Sequence, residues 1–296
     1  MEYGPKAGVH FVEYSPKPEL SETFSTDSIY LVQQFFIHCA IERYNEIKYV
    51  LKKNVENPFI SKIFLLNERI YTNDELGLSQ NEVEDKIVQV NIHKRLEFKD
   101  FFDFIETNGE NAFYILSNSD IFYDEGVNNL RKTDIATKKA VFALNRKEYV
   151  LGKMLENCEL RIMANSQDTW IIHSNFNLLQ KDREDCKFFM GKNYCDNRIC
   201  RIFRDLEYAV YNDPILISTY HYHTSDIRNY TSNEYDLVKG KMAFVAPITT
   251  FDYDEVKKNQ PQNFSIGDNL KKRIEIEYKV YQLNSRKHIL QKIRKR

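Results

Sequence analysis

The sequence predicts an α/β protein with a mostly parallel central sheet, flanking helices and a basic C-terminal extension. Three observations carry this. Apolar runs of strand length alternate with amphipathic stretches of helical spacing between residues 28 and 117, which is the signature of βαβ units. The runs are rich in β-branched and aromatic residues, as strands are. The charge is also uneven: the chain has a formal net charge of −1, but residues 271–296 hold ten Lys or Arg against two Glu, giving +8 in the tail and −9 elsewhere.

Residues 1–27 contain Pro5, Pro16 and Pro18 without periodicity, so an irregular lead-in is expected there. The run from Ser28 to His38 reads as the first strand. Tyr44, Ile47, Val50 and Leu51 then fall at helical spacing, which predicts a helix over 43–54. Asn57-Pro58 turns the chain into a second strand at 61–68. A helix-compatible stretch at 79–85 and a third strand at 87–92 follow. Phe98, Phe101, Phe102 and Ile105 share one side of a predicted helix over 96–107, and a fourth strand begins at Asn111. Beyond it, 140–146, 168–174 and 241–247 read as strands and 198–209 as a helix. In the tail, 273–283 alternates with period two, and Ser285 is a good N-cap for a last helix. The expected organisation is a lead-in (1–27), one catalytic-size domain (28–250) and a C-terminal extension (251–296).

At 29% charged and 42% hydrophobic residues the composition is that of an ordinary globular protein. The near-neutral net charge argues against a nucleic-acid partner, while the basic tail suits weak contact with a membrane or polyanion. Cys39, Cys158, Cys186, Cys195 and Cys200 are an odd set, and no apolar leader precedes them. Free thiols in the cytoplasm are therefore expected. The Cys195–Cys200 spacing lacks the second pair that a zinc site needs.

In open parallel sheets, ligands bind beyond the carboxyl ends of the strands. The fourth strand ends in Ser117-Asn118-Ser119-Asp120, followed by Asp124. Carboxylate and amide oxygens at such an exit are ligands for Mg²⁺ or Mn²⁺, although Asp120 could equally cap the next turn. His221 and His223 follow a strand-like run and lie two apart, which puts both imidazoles on one face. Asp168, at the start of another strand, is a candidate general base. Trp170 could stack on a sugar ring or lie buried. Asp196 and Asn197 fall at a helix start, where capping is the simple reading.

These segments together (QQFFI, NPFI, LLNE, RLEFKDFFDFI, YILSNSDIFYD, ALNR, SQDTWI, MGK, CDNRI and HYHTS) resemble a group of GT-A-fold glycosyltransferases. That Rossmann-like group occurs in large DNA viruses, plants and microbes. The resemblance spans residues 29–230. It implies a nucleoside-diphosphate-sugar donor, with Gln33, Phe35 and Glu68 near the nucleoside. It implies that Asn118, Ser119 and Asp120 stand in the place of the D-x-D metal motif, and that His221 or His223 approaches the metal or diphosphate. Asp168 would be the acceptor-side acid, and Arg43, Arg95 and Lys99 phosphate partners. The chain departs from that pattern at Asn118, a neutral ligand where the motif has an acid.

The expected function is metal-assisted transfer of a sugar to a hydroxyl of a glycan or glycoconjugate, with inversion if Asp168 is the base. The competing expectation is a catalytically silent sugar- or nucleotide-binding module on the same scaffold. A nucleotidyltransferase would need a Gly-rich basic loop after the first strand, where this chain has QQFFIHCA.

Overall fold

The computed structural model describes residues 11–161, 163–225, 227 and 238–247. The strand, the helix and the basic tail expected over 251–296 lie outside the described residues. β1 (Phe11–Tyr14) pairs in parallel with β13 (Ala243–Ala246). The main sheet has seven strands: β2 (Ser28–Gln33), β3 (Lys62–Asn67), β4 (Ile87–Asn91), β5 (Ala112–Ser117), β7 (Ala140–Leu144), β10 (Thr169–His173) and β11 (Ala209–Tyr211). Their order is β11-β7-β10-β5-β2-β3-β4. All neighbours run parallel except β10, which is antiparallel to β5 and β7. A smaller sheet orders β6 (Ile121–Tyr123), β12 (Thr219–His221), β8 (Lys147–Glu148) and β9 (Glu159–Leu160).

Six α-helices accompany the sheets among the described residues: α1 (Ile41–Glu56), α2 (Asn73–Leu76), α3 (Gln80–Lys86), α4 (Phe98–Asn108), α5 (Gln180–Glu184) and α6 (Cys195–Asp205). Side chains alternate across each central strand. Ile29 and Leu31, Ile63 and Leu65, and Phe113 and Ile115 join Ile47, Leu51 and Val55 of α1 in one core. Tyr30 and Val32, Phe64 and Leu66, and Tyr114 and Leu116 join Phe98, Phe101 and Phe102 of α4 and Ile199 and Phe203 of α6 in the other. Burial on both faces explains why these strands read as continuous apolar runs. The starts of α2 and α3 are set by capping boxes, Thr72 with Glu75 and Ser79 with Glu82.

Several elements differ from expectation: the first strand ends at Gln33 rather than His38, and the helix expected over 198–209 ends at Asp205, with Ala209 opening β11. The strand at 168–174 forms but runs antiparallel, and local pattern carries no information on direction. The strand at 243–246 joins β1 rather than the main sheet, so part of the expected irregular lead-in is strand. Only Thr219–His221 of the run before the histidines is strand. Trp170 is in the core, 1% exposed and 4.8 Å from the Phe98 ring, so it offers no face to a sugar.

Candidate functional site

β2 and β5 are neighbours in the sheet, yet β3 and β4 lie between them in sequence and extend the sheet on the far side of β2. The order therefore reverses between β2 and β5, and the crevice beyond their carboxyl ends is the place for a ligand. β10 runs the other way, so its beginning reaches that same edge. Thr169 pairs with Ser117, and Asp168 stands beside Asn118.

The turn after β5 is held from beneath. Gln33, buried at the end of β2, donates its amide to Ser117 Oγ (2.9 Å) and to the carbonyls of Asn118 (2.8 Å) and Ile121 (3.1 Å). Asn54 of α1 donates to the same Ile121 carbonyl at 3.0 Å. Gln33 thus supports the turn and has no surface for a nucleoside. Phe35 is likewise core, 2% exposed and packed edge-on to Tyr44 and Tyr71.

Asp120 is buried at the centre of the cluster. Its Oδ2 accepts a hydrogen bond from Arg43 Nη2 at 2.6 Å and lies 3.3 Å from His221 Nε2 and 3.8 Å from His223 Nδ1. Its Oδ1 is buried without a hydrogen-bond partner among the described residues. One ligand atom each from Asp120, His221 and His223 can be chosen so that all lie within 4.8 Å of one another.

Both imidazoles have their second nitrogen committed. His221 Nδ1 donates to Glu148 Oε2 at 2.8 Å, leaving Nε2 to face Asp120. His223 Nε2 donates to the Ile227 carbonyl at 2.9 Å, leaving Nδ1 to face Asp120. Such outer partners orient imidazoles in metal sites. An orphaned carboxylate oxygen and two oriented imidazoles fit a divalent cation. Two nitrogens and one oxygen suit a divalent transition-metal ion better than Mg²⁺, which prefers oxygen ligands alone.

Burial alone would push His221 down, but the Asp120 and Glu148 carboxylates hold it up at about 9. Burial and the Arg43 guanidinium lower His223. Burial works to raise Asp120, but His221 and Arg43 outweigh it and keep the carboxyl well below its usual range. Glu148 is similarly held at about 2, by His221 and Arg146 against its burial.

A ladder of alternating charge continues from there. Glu148 Oε1 accepts from Arg146 Nε at 3.0 Å and Arg161 Nε at 2.9 Å. Arg146 Nη1 donates to Asp168 Oδ2, and Asn118 Nδ2 donates to Asp168 Oδ1 at 2.9 Å. Both Asp168 oxygens are therefore taken by donors, which is poor geometry for the general base expected of it. Asp196, in the first turn of α6, accepts from the backbone N–H groups of Gln167 (3.2 Å) and Asn197 (3.0 Å). Burial and the Asp168 carboxylate push it up to about 7.

The structure therefore brings Arg43, Asn118, Ser119, Asp120, Asp168, His221 and His223 to one edge, with Ser119 partly exposed in the turn. Glu68 lies just past β3, accepting from Tyr71 Oη and from Gln34 Nε2 (3.3 Å). Arg95 and Lys99 are engaged elsewhere: Arg95 Nη2 donates to the Met190 carbonyl at 2.7 Å, and Lys99 pairs with Asp103 at 2.5 Å. Asp124 is no reserve ligand, because it accepts from Gly126 N (2.9 Å) and Tyr220 Oη (2.7 Å). The sequence assigns no role in the site to Glu46, Arg146 and Glu148, although Arg146 closes the ALNR segment. The only available signal was the charged RKE run after β7.

No family model and no curated protein sequence matches the chain. Among solved structures, a putative nucleotide-diphospho-sugar transferase from Desulfovibrio desulfuricans aligns at 7% identity and TM-score 0.41, covering 87% of this chain and 99% of its own. A 4-diphosphocytidyl-2C-methyl-D-erythritol synthase from Anaerococcus prevotii aligns at 12% identity and TM-score 0.39, covering 70% and 92%. TarS from S. aureus, also solved with UDP-GlcNAc, aligns at 12% identity and TM-score 0.40, covering 68% of this chain and 37% of TarS. At such identities and scores, a function for this chain has to come from its own residues. No helix among the described residues is long and apolar enough to cross a membrane.

Proposed function

We propose that the chain is a glycosyltransferase that moves a sugar from a nucleoside diphosphate to a hydroxyl of a glycan or glycoconjugate. The observation that carries this reading is the Asp120–His221–His223 cluster at the reversal of strand order, with both imidazoles oriented from behind. A divalent cation held there would neutralise charge on the leaving diphosphate. Arg43 adds a fixed positive charge beside it. The domain over 28–250 would carry the whole site.

Transfer breaks the bond between the anomeric carbon and the diphosphate oxygen and forms one to the acceptor oxygen, whose proton must be taken up. Asp196 is assigned that proton. It stands partly exposed in the first turn of α6, next to the Asp168 edge through Gln167 N. No side-chain cation among the described residues pairs with it as Arg146 does with Asp168. Burial and the Asp168 carboxylate push it up to about 7, near the working pH that suits a base. Asp168, braced by Arg146 and Asn118, holds the edge of the acceptor side. A carboxylate base opposite the leaving group favours inversion.

The binding-module reading retains one supporting observation, the Arg43 guanidinium already seated 2.6 Å from Asp120. A panel of nucleoside-diphosphate sugars with Mn²⁺, scored by calorimetry and by release of nucleoside diphosphate, separates the two. Binding with turnover supports the transferase. Binding without turnover removes it, and turnover unchanged in D196N removes only the assignment of Asp196 as base.

A further inference from the structure

Glu46 is used by nothing described so far, yet it is among the most heavily bonded carboxylates in the molecule. It lies one turn after Arg43 on α1 and is 3% exposed. Its Oε1 accepts from Thr224 N (2.7 Å), Thr224 Oγ1 (3.0 Å) and Ser225 N (2.7 Å). Its Oε2 accepts from Ser225 Oγ (3.0 Å) and Arg43 Nη1 (3.0 Å). Residues 224 and 225 immediately follow His223, and beyond β12 no described strand pairing holds that segment. A buried carboxylate is tolerated only where donors satisfy it, so this one ties the segment firmly to α1.

We infer that Glu46 is a positioning residue for the candidate metal site, acting in two directions from one carboxylate. Through Thr224 and Ser225 it fixes the backbone that carries His223, and through Arg43 Nη1 it aims Nη2 at Asp120 Oδ2. Both consequences concern ligand atoms that must converge on one ion, so small displacements of the segment loosen the site. The inference rests on the metal reading given above.

The test uses the full chain, with Mn²⁺ alone as probe, followed by the loss of the free-ion signal in electron paramagnetic resonance. Glu46→Gln keeps the shape and, with its carbonyl in the Oε1 place, the bonds from Thr224 and Ser225 N. Its NH₂, however, meets Arg43 Nη1, and the charge that holds that guanidinium is lost. Thr224→Val with Ser225→Ala removes hydroxyl donors from the other side. Circular dichroism and melting temperature are recorded for each, and binding is measured well below the melt. Mn²⁺ affinity is expected to fall about 10–100-fold in E46Q, the range for loss of an outer-shell partner. Glu46→Asp is expected to restore part of that loss, and the Thr224/Ser225 double variant to fall in the same direction. A folded E46Q, or a folded double variant if E46Q does not fold, that binds Mn²⁺ as tightly as the wild type overturns the inference and leaves the metal reading standing. A wild type that binds no Mn²⁺ overturns the metal reading and the inference with it.

Discussion

Replacing Asn118 with aspartate would restore the acid that a D-x-D motif has in that place, and the structure predicts that it does harm. Asn118 Nδ2 donates to Asp168 Oδ1 at 2.9 Å, and Asp168 is only 8% exposed. In N118D that donor becomes a second carboxylate at the same separation. With an effective dielectric of about 20, two unit charges so close repel by about 6 kcal/mol. The pair would take up a shared proton instead, which limits the cost at pH 7 to about 4 kcal/mol, given an ordinary carboxyl pKa about three units lower. N118A loses only the donor and should cost about 1–3 kcal/mol. Urea denaturation of the wild type and both variants at pH 7 measures the difference. The expected order of stability is wild type, N118A, N118D, with no tightening of Mn²⁺ binding in N118D. An N118D protein as stable as the wild type would refute the assignment of Asn118 as the brace of Asp168.

Further outcomes follow from the same network. For Asp196 the sign runs upward: the base must be deprotonated, so kcat/KM should rise with pH through a midpoint near 7, and D196N should remove both the limb and most of the rate; an unchanged profile in D196N assigns the limb elsewhere. Glu148→Gln exchanges a carboxylate for a neutral acceptor at His221 Nδ1, and Mn²⁺ affinity by calorimetry should weaken about 10–100-fold with the fold retained. Arg43→Ala leaves the buried Asp120 and Glu46 without their shared cation, so denaturation should show a loss of about 3–5 kcal/mol; a neutral effect would mean that water already serves both carboxylates.

Much of the main sheet was legible because its central strands are buried on both faces and appear as unbroken apolar runs; β11, three residues long, was not, and its first residue falls at the end of the helix that the sequence predicts. Helices α1 and α4 were legible from the spacing of residues such as Ile47, Leu51, Phe98 and Phe102, and α3 from its Ser79 cap. What local pattern omits is partnership. Nothing in 168–174 tells that β10 runs backward, yet that direction is what brings Asp168 to the same edge as Asn118. The pairing of β1 with β13 joins residues more than two hundred apart. In the site, Asp120, His221 and His223 stood out because acids and imidazoles at strand ends are chemically conspicuous. Glu148 and Glu46 did not, because a charged residue on a short strand or helix usually faces solvent. Their role depends on the register of His221 opposite Glu148 and on the return of residues 224 and 225 to α1. Gln33 and Phe35 lie close to the right strand end but point into the protein.

The central claim is that Asp120, His221 and His223 jointly hold a divalent cation for a nucleoside-diphosphate-sugar donor. Mn²⁺ titration of the wild type and of H221A, H223A and D120N, each with and without the donor panel, tests it most directly. One saturable Mn²⁺ site per chain is expected, weakened in all three variants and strengthened by a nucleoside-diphosphate sugar. Absence of saturable Mn²⁺ binding in the wild type, or equal binding in H221A and H223A, would contradict it.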